Sequence, residues 1–239
     1  MDERTHFEDG RVTRRGSLVK LGGFLAAALG AGAWKTVSSD DAAGAGPAGV
    51  ASGAVTCLLA PKMTEGPYYI PNEKVRRNIT EGRPGTPLTL QLTVADASTC
   101  KPIKGAAVDI WHADALGVYS GEQAQQTVGP TFMRGIQRTD AHGLAIFDTV
   151  YPGWYTGRAV HIHVKVHVGG NVVHTGQLFF SDTLTDTVYR KAPYNTRPSR
   201  DLRNAADSIY RNGGSKSILA LRRNAAGYIG TITMGVHRS

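Results

Sequence analysis

Phenylalanine and cysteine are scarce in this chain, whereas glycine is abundant. Its 239 residues include 6 Phe and 2 Cys, but 29 Gly and 11 Pro. Glycine and proline mark turns, so this balance favours many short strands over long helices. The sequence also lacks a recognisable glycine-rich phosphate loop and a Ser-His-Asp arrangement. With 41% hydrophobic residues, it has enough apolar material for one sizeable core.

The chain carries excess positive charge without a cluster suited to nucleic acid. It has 27 Lys and Arg against 19 Asp and Glu, a formal net charge of +8. The first 45 residues contain six residues of each sign, so residues 46–239 carry the whole excess. Most of these basic residues are scattered, and no nucleic-acid-binding module is recognisable. We therefore expect no nucleic-acid partner, and an anionic small substrate fits the charge equally well.

An apolar run near the N-terminus, residues 21–34, is broken by glycines and is too short to span a bilayer comfortably. It follows Arg14-Arg15 and resembles the apolar part of a twin-arginine export signal. We expect residues 1–54 to form this signal and a flexible linker, and residues 55–239 to form one exported domain, periplasmic or extracellular in a bacterium. A retained N-terminal membrane anchor is the alternative, although we expect no stable membrane insertion after processing.

Two cysteines, Cys57 and Cys100, follow the signal segment. In an exported protein an isolated pair is more commonly a disulfide than a metal site or a nucleophile. We therefore predict that they are bridged, which would stabilise the fold by about 3–4 kcal/mol for a loop of this length.

Alternation of apolar and polar residues predicts at least six strands. The expected strands are residues 88–94, 106–112, the two arms of a hairpin within 137–150, 160–168, 172–180 and 228–236. The segment 183–204 has no regular pattern, and one short helix is expected near residues 202–209. Many closely spaced strands with almost no helix predict a β-sandwich or a β-barrel.

One predicted strand carries two histidines on the same face. His161 and His163 are separated by a single residue, so their side chains project about 7 Å apart on one side of the strand. Two imidazoles so placed can reach one metal ion. Tyr155, a possible anionic oxygen ligand, and Arg158, a permanent cation, come just before them. Surface histidines on a solvated strand face are the alternative interpretation.

Five segments, in order along the chain, resemble motifs of the intradiol ring-cleavage dioxygenases, a family that includes catechol, protocatechuate and hydroxyquinol dioxygenases. They are T-E-G-P-Y-Y (64–69), V-D-I-W-H-A-D-A-L-G-V-Y-S (108–120), G-I-Q-R-T-D-A-H-G (135–143), Y-P-G-W-Y-T-G-R-A-V-H-I-H (151–163) and G-Q-L-F-F (176–180). The resemblance covers residues 56–236. It implies an all-β sandwich with long irregular loops and at most one short helix.

The resemblance also implies a non-haem metal centre. One iron(III) per chain would be held by Tyr119, Tyr155, His161 and His163. Hard iron(III) favours phenolate oxygen with imidazole as a companion, and it would deprotonate a phenol that it binds.

Further residues match positions that line the substrate pocket in that family. These are Arg158 and Gln177 beside the metal ligands, and Gly66, Pro67 and Tyr68 in a segment that walls the pocket. Tyr155 would serve as a base as well as a ligand, and Arg158 would stabilise negative charge that develops on the ring.

The implied reaction joins a small aromatic diol with dioxygen. Cleavage between the two hydroxyl-bearing carbons would give a cis,cis-muconate-type diacid. The motifs leave the ring substituent open. The catechol dioxygenases carry a long helical dimerisation region before the sandwich, which this sequence does not display, so a homo-oligomer also stays open.

Two other function classes remain open at this point. A copper or zinc protein could use His161 and His163 with another histidine, and a transthyretin-like sandwich could bind a ligand without catalysis. Neither needs Tyr119, Tyr155 or Arg158, so these three residues distinguish the dioxygenase from both alternatives.

Overall fold

The computed structural model describes residues 58–238, in which eight strands and two short α-helices are present. The strands are β1 (Pro87–Asp96), β2 (Ala107–Trp111), β3 (Arg134–Arg138), β4 (Leu144–Val150), β5 (His161–Val168), β6 (Asn171–Phe179), β7 (Ala220–Arg223) and β8 (Tyr228–Val236). The α-helices are α1 (Asp182–Val188) and α2 (Ser208–Arg211). Short 3-10 helices cover Gln123–Gln125, Tyr194–Thr196, Asn204–Ala206 and Gly214–Ser217.

The strands form two four-stranded sheets with the orders β4-β1-β8-β7 and β3-β2-β5-β6. The second sheet is antiparallel throughout. In the first sheet β1 and β8 are parallel, and the other pairs are antiparallel. One apolar core takes side chains from both sheets, so the molecule is a β-sandwich and the predicted fold class is confirmed.

Alternation along the strands builds this core, as the sequence predicts. Every second residue of β1 from Leu88 to Val94 is buried. These side chains share the core with inward-facing residues of the other sheet, namely Val108, Ile110, Ile162, Val164 and Val166. Burying one such side chain contributes about 1.5–3 kcal/mol. The core thereby fixes which residues of β2 and β5 project from the opposite, outer face of the second sheet.

The hairpin expected over residues 137–150 is wrong, although its turn is present. β3 pairs with β2, whereas β4 pairs with β1, so the two arms belong to different sheets. The carboxylate of Asp140 closes the turn by accepting hydrogen bonds from the backbone N–H groups of His142 and Leu144. Periodicity predicts a strand but not its partner, and here the turn connects the two sheets.

The segment after β6 is more ordered than the sequence suggests. It begins with α1, and the second helix, α2, is shorter than the one expected near residues 202–209. Two short helices are therefore present where at most one was expected. The edge strand β7 was not predicted, because its four residues are mostly exposed and do not alternate. Within residues 58–238, no helix has the length and apolarity needed to cross a membrane.

β5 is buried on both faces rather than half-buried. Its first six residues are all buried. His161 and His163 on the outer face are 3% and 1% exposed, which excludes the alternative of solvated surface histidines. The segment that begins at Thr64 covers this face, with Glu65 paired to Lys165 and Gly66 lying against His163.

Cys100 is disulfide-bonded, and no free cysteine occurs in the described part of the chain. Its expected partner, Cys57, lies outside the described residues, as do the expected export signal and linker. The pairing itself and the domain boundary at residue 55 stay predictions.

Asp109 is an unusual carboxyl on the outer face of β2. It is 1% exposed, and its carboxylate oxygens make no hydrogen bond of ordinary geometry among the described residues, although the Tyr69 hydroxyl interacts with them weakly. Burial raises the pKa of Asp109 from 3.8 to about 7. Compared with the unfolded chain, the folded protein therefore favours the protonated form of the Asp109 carboxyl.

We expect Asp109→Asn to stabilise the protein at about pH 8 but not at about pH 4. Because the folded pKa lies above the unfolded one, the stability linked to protonation is complete below about pH 4. This stability is lost as the pH rises to about 7, and the loss reaches roughly 4 kcal/mol for a pKa shift of this size. Urea denaturation of both proteins across this range measures the difference, and a difference independent of pH would contradict the expectation.

Candidate active site

Four of the predicted site residues meet on the outer face of the second sheet. β5 supplies His161 and His163, whose Nε2 atoms lie 3.0 Å apart. Tyr155, from the segment between β4 and β5, places its Oη 3.1 Å from Nε2 of His161. Tyr119, from the turn after β2, has its ring centre 5.6 Å from that of Tyr155 and 6.5 Å from that of His163.

His161 presents an unprotonated nitrogen to this site. Nδ1 of His161 lies 2.6 Å from the carbonyl oxygen of Ala159. Because a carbonyl only accepts, Nδ1 carries the proton and Nε2 keeps its lone pair. Burial lowers the pKa of His161 to about 3, and it also lowers the pKa of His163 well below its usual value. Both imidazoles are therefore neutral at pH 7 and able to act as ligands.

Tyr119 ends in a hydroxyl group that the protein satisfies poorly. The residue is fully buried, and its Oη makes no hydrogen bond of ordinary geometry among the described residues, although the neighbouring Tyr155 hydroxyl interacts with it weakly. Burial raises the pKa of Tyr119 well above 10, and the neighbouring Tyr155 adds to this effect. A buried hydroxyl without a partner costs about 1–3 kcal/mol. A cation that binds Oη would remove this cost.

This donor set fits iron(III). Two phenol oxygens and two imidazole nitrogens converge, and anionic oxygen with imidazole suits a hard trivalent ion. No group of three or more His, Cys, Asp and Glu side chains in residues 58–238 could hold a metal ion. A zinc or copper site with a third ligand of that kind is therefore not formed there, and the tyrosines complete the set.

Hydrogen bonds from neighbouring loops hold Tyr119 in place. Its backbone N–H donates to Oε1 of Gln125 at 2.7 Å, and its carbonyl accepts from Oγ1 of Thr127 at 2.6 Å. Arg134, which is fully buried, donates to the carbonyl oxygens of Ser120 at 2.7 Å and Tyr68 at 2.6 Å. One arginine thus connects the Tyr119 turn to the segment that was predicted to wall the pocket.

That segment packs directly on the candidate ligands. The ring of Tyr68 stacks on Tyr119 with centres 4.2 Å apart and meets Tyr155 edge-on at 5.9 Å. Gly66 lies so close to His163 that an added Cβ would come within 3.1 Å of its Cε1. Pro67 is exposed. Two of the three predicted wall residues therefore touch the candidate ligands.

The guanidinium of Arg158 lies beside the candidate ligand atoms of Tyr155 and His161. Its Nη1 lies 3.4 Å from Oη of Tyr155 and 3.3 Å from Nε2 of His161. Its Nη2 donates to Oε1 of Gln177 at 2.5 Å, and Nε2 of Gln177 donates to the carbonyl of Thr64 at 3.1 Å. The structure thus brings all the predicted metal and pocket residues into one region, while their roles stay predictions.

Sequence reasoning missed several residues that support this region. Arg134 and Asp207 are buried and bind site residues, and Trp111 stacks on His163 with ring centres 4.9 Å apart. Trp111 lies opposite His163 in the pairing of β2 with β5, a register that the sequence does not reveal. Asp207 precedes a helical turn and could have been recognised as a cap. Nothing in the pattern connects it to Arg158, which is 49 positions away.

We expect Gly66→Ala to disturb His163 specifically. Gly66 has φ +73°, so alanine there costs about 1–2 kcal/mol from backbone strain, and its Cβ would also push the His163 ring. Gly82→Ala is a matched control, since Gly82 has φ +75° and nothing within 4 Å of an added Cβ. Denaturation midpoints and iron(III) uptake measure both effects. Equal uptake by the two variants would show that the contact with His163 is unimportant.

Comparison with known proteins agrees with this geometry. A family model described as Dioxygenase matches residues 64–193. The chain is 38% identical to an intradiol ring-cleavage dioxygenase from Tetranychus urticae, over 76% of this chain and 95% of that one, with a TM-score of 0.71. It is 31% identical to the dioxygenase domain of a dioxygenase carbohydrate-binding protein fusion from Streptomyces sp. SirexAA-E, over 76% of this chain and 100% of that one, with a TM-score of 0.59.

The chain is also 34% identical over 139 residues to catechol 1,2-dioxygenase 2 of Acinetobacter lwoffii. These residues are 56% of this chain and 46% of that protein. The chain spans about half the length, or less, of the curated relatives it matches. By its family match, its relatives and its fold, the chain belongs to the intradiol ring-cleavage dioxygenases.

Proposed function

We propose that the protein cleaves a catechol-type aromatic diol between its two hydroxyl-bearing carbons, with dioxygen and one non-haem iron(III) per chain. The observation that carries this proposal is the convergence of two phenol oxygens and two imidazole nitrogens in a buried site beside a guanidinium group. Tyr119, Tyr155, His161 and His163 would hold the iron. The poorly satisfied hydroxyl of Tyr119 supports this role, because a buried hydroxyl ordinarily has a well-formed hydrogen bond.

The proposed reaction consumes one dioxygen for each diol. The bond between the hydroxyl-bearing carbons breaks, each of these carbons becomes a carboxyl carbon, and both atoms of dioxygen end in a cis,cis-muconate-type diacid. When bound, iron(III) would chelate the deprotonated diol and make its ring reactive toward dioxygen.

Tyr155 is suited to accept a proton from the incoming diol. Burial raises the pKa of Tyr155, whereas the adjacent Arg158 opposes this rise. Without a metal, a raised pKa keeps Tyr155 a neutral phenol near pH 7. Held as tyrosinate by bound iron(III), Tyr155 could take one phenolic proton on its Oη. Arg158 lies close enough to this atom to stabilise the tyrosinate before the transfer.

Arg158 would also stabilise negative charge that develops on the ring. Its Nη1 lies 3.3 Å from Nε2 of His161 and 3.4 Å from Oη of Tyr155, so it would stand beside a diol bound at the metal that these two atoms would hold. Gln177 fixes the other guanidinium nitrogen and is itself fixed by the backbone of Thr64. Such a preset charge does not have to reorganise as the reaction proceeds, which is the condition for effective electrostatic catalysis.

We also propose that the enzyme works after export, in the periplasm or outside the cell. The twin-arginine-like sequence before residue 55 supports this location. The disulfide at Cys100 adds support, because disulfides persist mainly in oxidising compartments.

Iron binding is tested first with Tyr119→Phe. In the iron-free protein this change should leave the free energy of unfolding unchanged or raise it by about 1 kcal/mol, because the lost hydroxyl is buried without a hydrogen bond of ordinary geometry. It should also lower iron content and change the red-brown colour expected of tyrosinate–iron(III) charge transfer. Tyr151→Phe is the matched control: its Oη shares a hydrogen bond with Thr185 at 2.7 Å, so it should lose about 1 kcal/mol and keep both iron and colour. An iron-loaded wild-type protein without such a charge-transfer band would refute the ligand set.

Arg158→Ala separates catalysis from metal binding. We expect this variant to keep iron and colour but to lose about 10²–10³-fold in kcat, because it removes one electrostatic partner of the reacting ring. Tyr155→Phe should change the colour as well as the rate, since it removes a ligand and a base together. Iron analysis, visible spectra and turnover of a panel of catechols measure these outcomes. Full turnover by Arg158→Ala, or loss of its iron, would show that its role is different.

A further inference from the structure

Asp207 holds the far side of the Arg158 guanidinium. Its Oδ2 accepts hydrogen bonds from Nε of Arg158 and from the backbone N–H of Ala159, both at 2.8 Å. Its Oδ1 accepts from the backbone N–H groups of Ile209 at 2.7 Å and Tyr210 at 3.0 Å. The residue is 1% exposed. Four donors therefore fix the carboxylate, and the carboxylate in turn fixes the arginine.

A second aspartate from the same part of the chain, Asp201, binds the turn that precedes Arg158. Oδ2 of Asp201 accepts from the backbone N–H of Gly157 at 2.9 Å, next to Arg158. The excursion after β6, residues 182–217, is anchored by Arg200, which pairs with Asp182 and Asp186. The excursion thus carries both aspartates to the turn that precedes the histidine strand.

The carboxylate of Asp207 is ionised and compensates a charge that would otherwise be unfavourable. Burial would raise its pKa, but hydrogen bonds from Ala159, Tyr210 and Arg158 lower it below the ordinary value of 3.8. A free arginine side chain has about 2 kcal/mol of rotamer entropy to lose. The ion pair with Asp207 opposes the loss of a defined orientation.

We propose that Asp207 is a positioning residue for ring cleavage, which holds the Arg158 guanidinium over the reacting ring by binding its Nε. This inference rests on the proposed function. Asp207 lies beyond the segment that the family model matches, residues 64–193. A part of the chain outside that segment would therefore set the orientation of a group at the reacting centre.

Asp207→Asn is the informative change, because asparagine keeps one acceptor and loses the other. If its oxygen continues to cap Ile209 and Tyr210, its NH₂ group must face the N–H groups of Arg158 and Ala159, and donors repel donors. We expect kcat to fall by about 10- to 100-fold, the usual effect of losing a group that orients a functional side chain. KM should change less, and iron content and the visible spectrum should match the wild type. Asp207→Ser, which keeps a capping oxygen, provides the same test if the asparagine variant does not fold.

A double-mutant cycle decides whether Asp207 acts through Arg158. If it does, Asp207→Asn combined with Arg158→Ala will have the same kcat as Arg158→Ala alone. Additive losses would overturn the proposal. Arg200→Met is the control for a merely structural role, because it loosens the excursion without removing any hydrogen bond to Arg158. It should lower the denaturation midpoint and keep kcat near the wild-type value, and a loss of kcat as large as that of Asp207→Asn would also overturn the proposal.

The outcomes separate this inference from the function on which it rests. A wild-type protein that binds iron but cleaves no catechol refutes both. An active wild type with full kcat in Asp207→Asn refutes the positioning role and leaves the proposed function standing. Loss of iron or colour in Asp207→Asn would show that the residue supports the metal ligands instead of Arg158.

Discussion

The structure depends on burying a cluster of nitrogen and oxygen atoms that satisfy one another only in part. On the outer face of the second sheet, Nε2 of His161 lies 3.0 Å from Nε2 of His163 and 3.1 Å from Oη of Tyr155, and Oη of Tyr119 has no hydrogen bond of ordinary geometry among the described residues. Left open to water, these groups would be solvated and would not need a defined geometry. The segment from Thr64 to Tyr69 and the excursion after β6 cover them instead, so their arrangement is fixed by surrounding contacts. A bound metal would satisfy atoms whose burial is otherwise unfavourable.

Charge around this site is balanced locally rather than through the net charge of the chain. The chain has a net charge of +8, yet each arginine near the candidate ligands has a carboxylate beside it. Arg158 binds Asp207, and Arg134 lies 3.8 Å from both Glu73 and Glu122. Net charge therefore says little about the site, because the field at a buried group is set by its immediate partners.

The strands and the candidate site residues could both be named from the sequence, for two different reasons. Alternation along β1 and β5 reflects a core that is filled from one face of each strand, and this is a local property. The candidate ligands and Arg158 occur within short motifs that resemble a known family, so they could be named from the sequence. Their roles still wait for experiment.

What the sequence could not predict depends on pairing over long distances. The turn at Asp140 looks like a hairpin turn, and only the pairing of β3 and β4 with different partners shows that it joins two sheets. The contacts of Asp207 with Arg158 and of Arg134 with Tyr68 span 49 and 66 positions. No local pattern records such contacts, because they arise when separate loops fold onto the same face.

The parallel pairing of β1 with β8 has a consequence for the order in which the chain can fold. Leu88 lies opposite Tyr228 and Asp96 opposite Val236, so the first sheet takes its central partner from the very end of the described chain. The ribosome must therefore synthesise the chain as far as residue 236 before β1 has all of its neighbours on both sides. Until then, one edge of this apolar strand exposes unpaired backbone groups that could pair with another nascent chain. A mutant that lacks β8, Tyr228–Val236, would thus be at risk of aggregation, even though every candidate site residue would still be present.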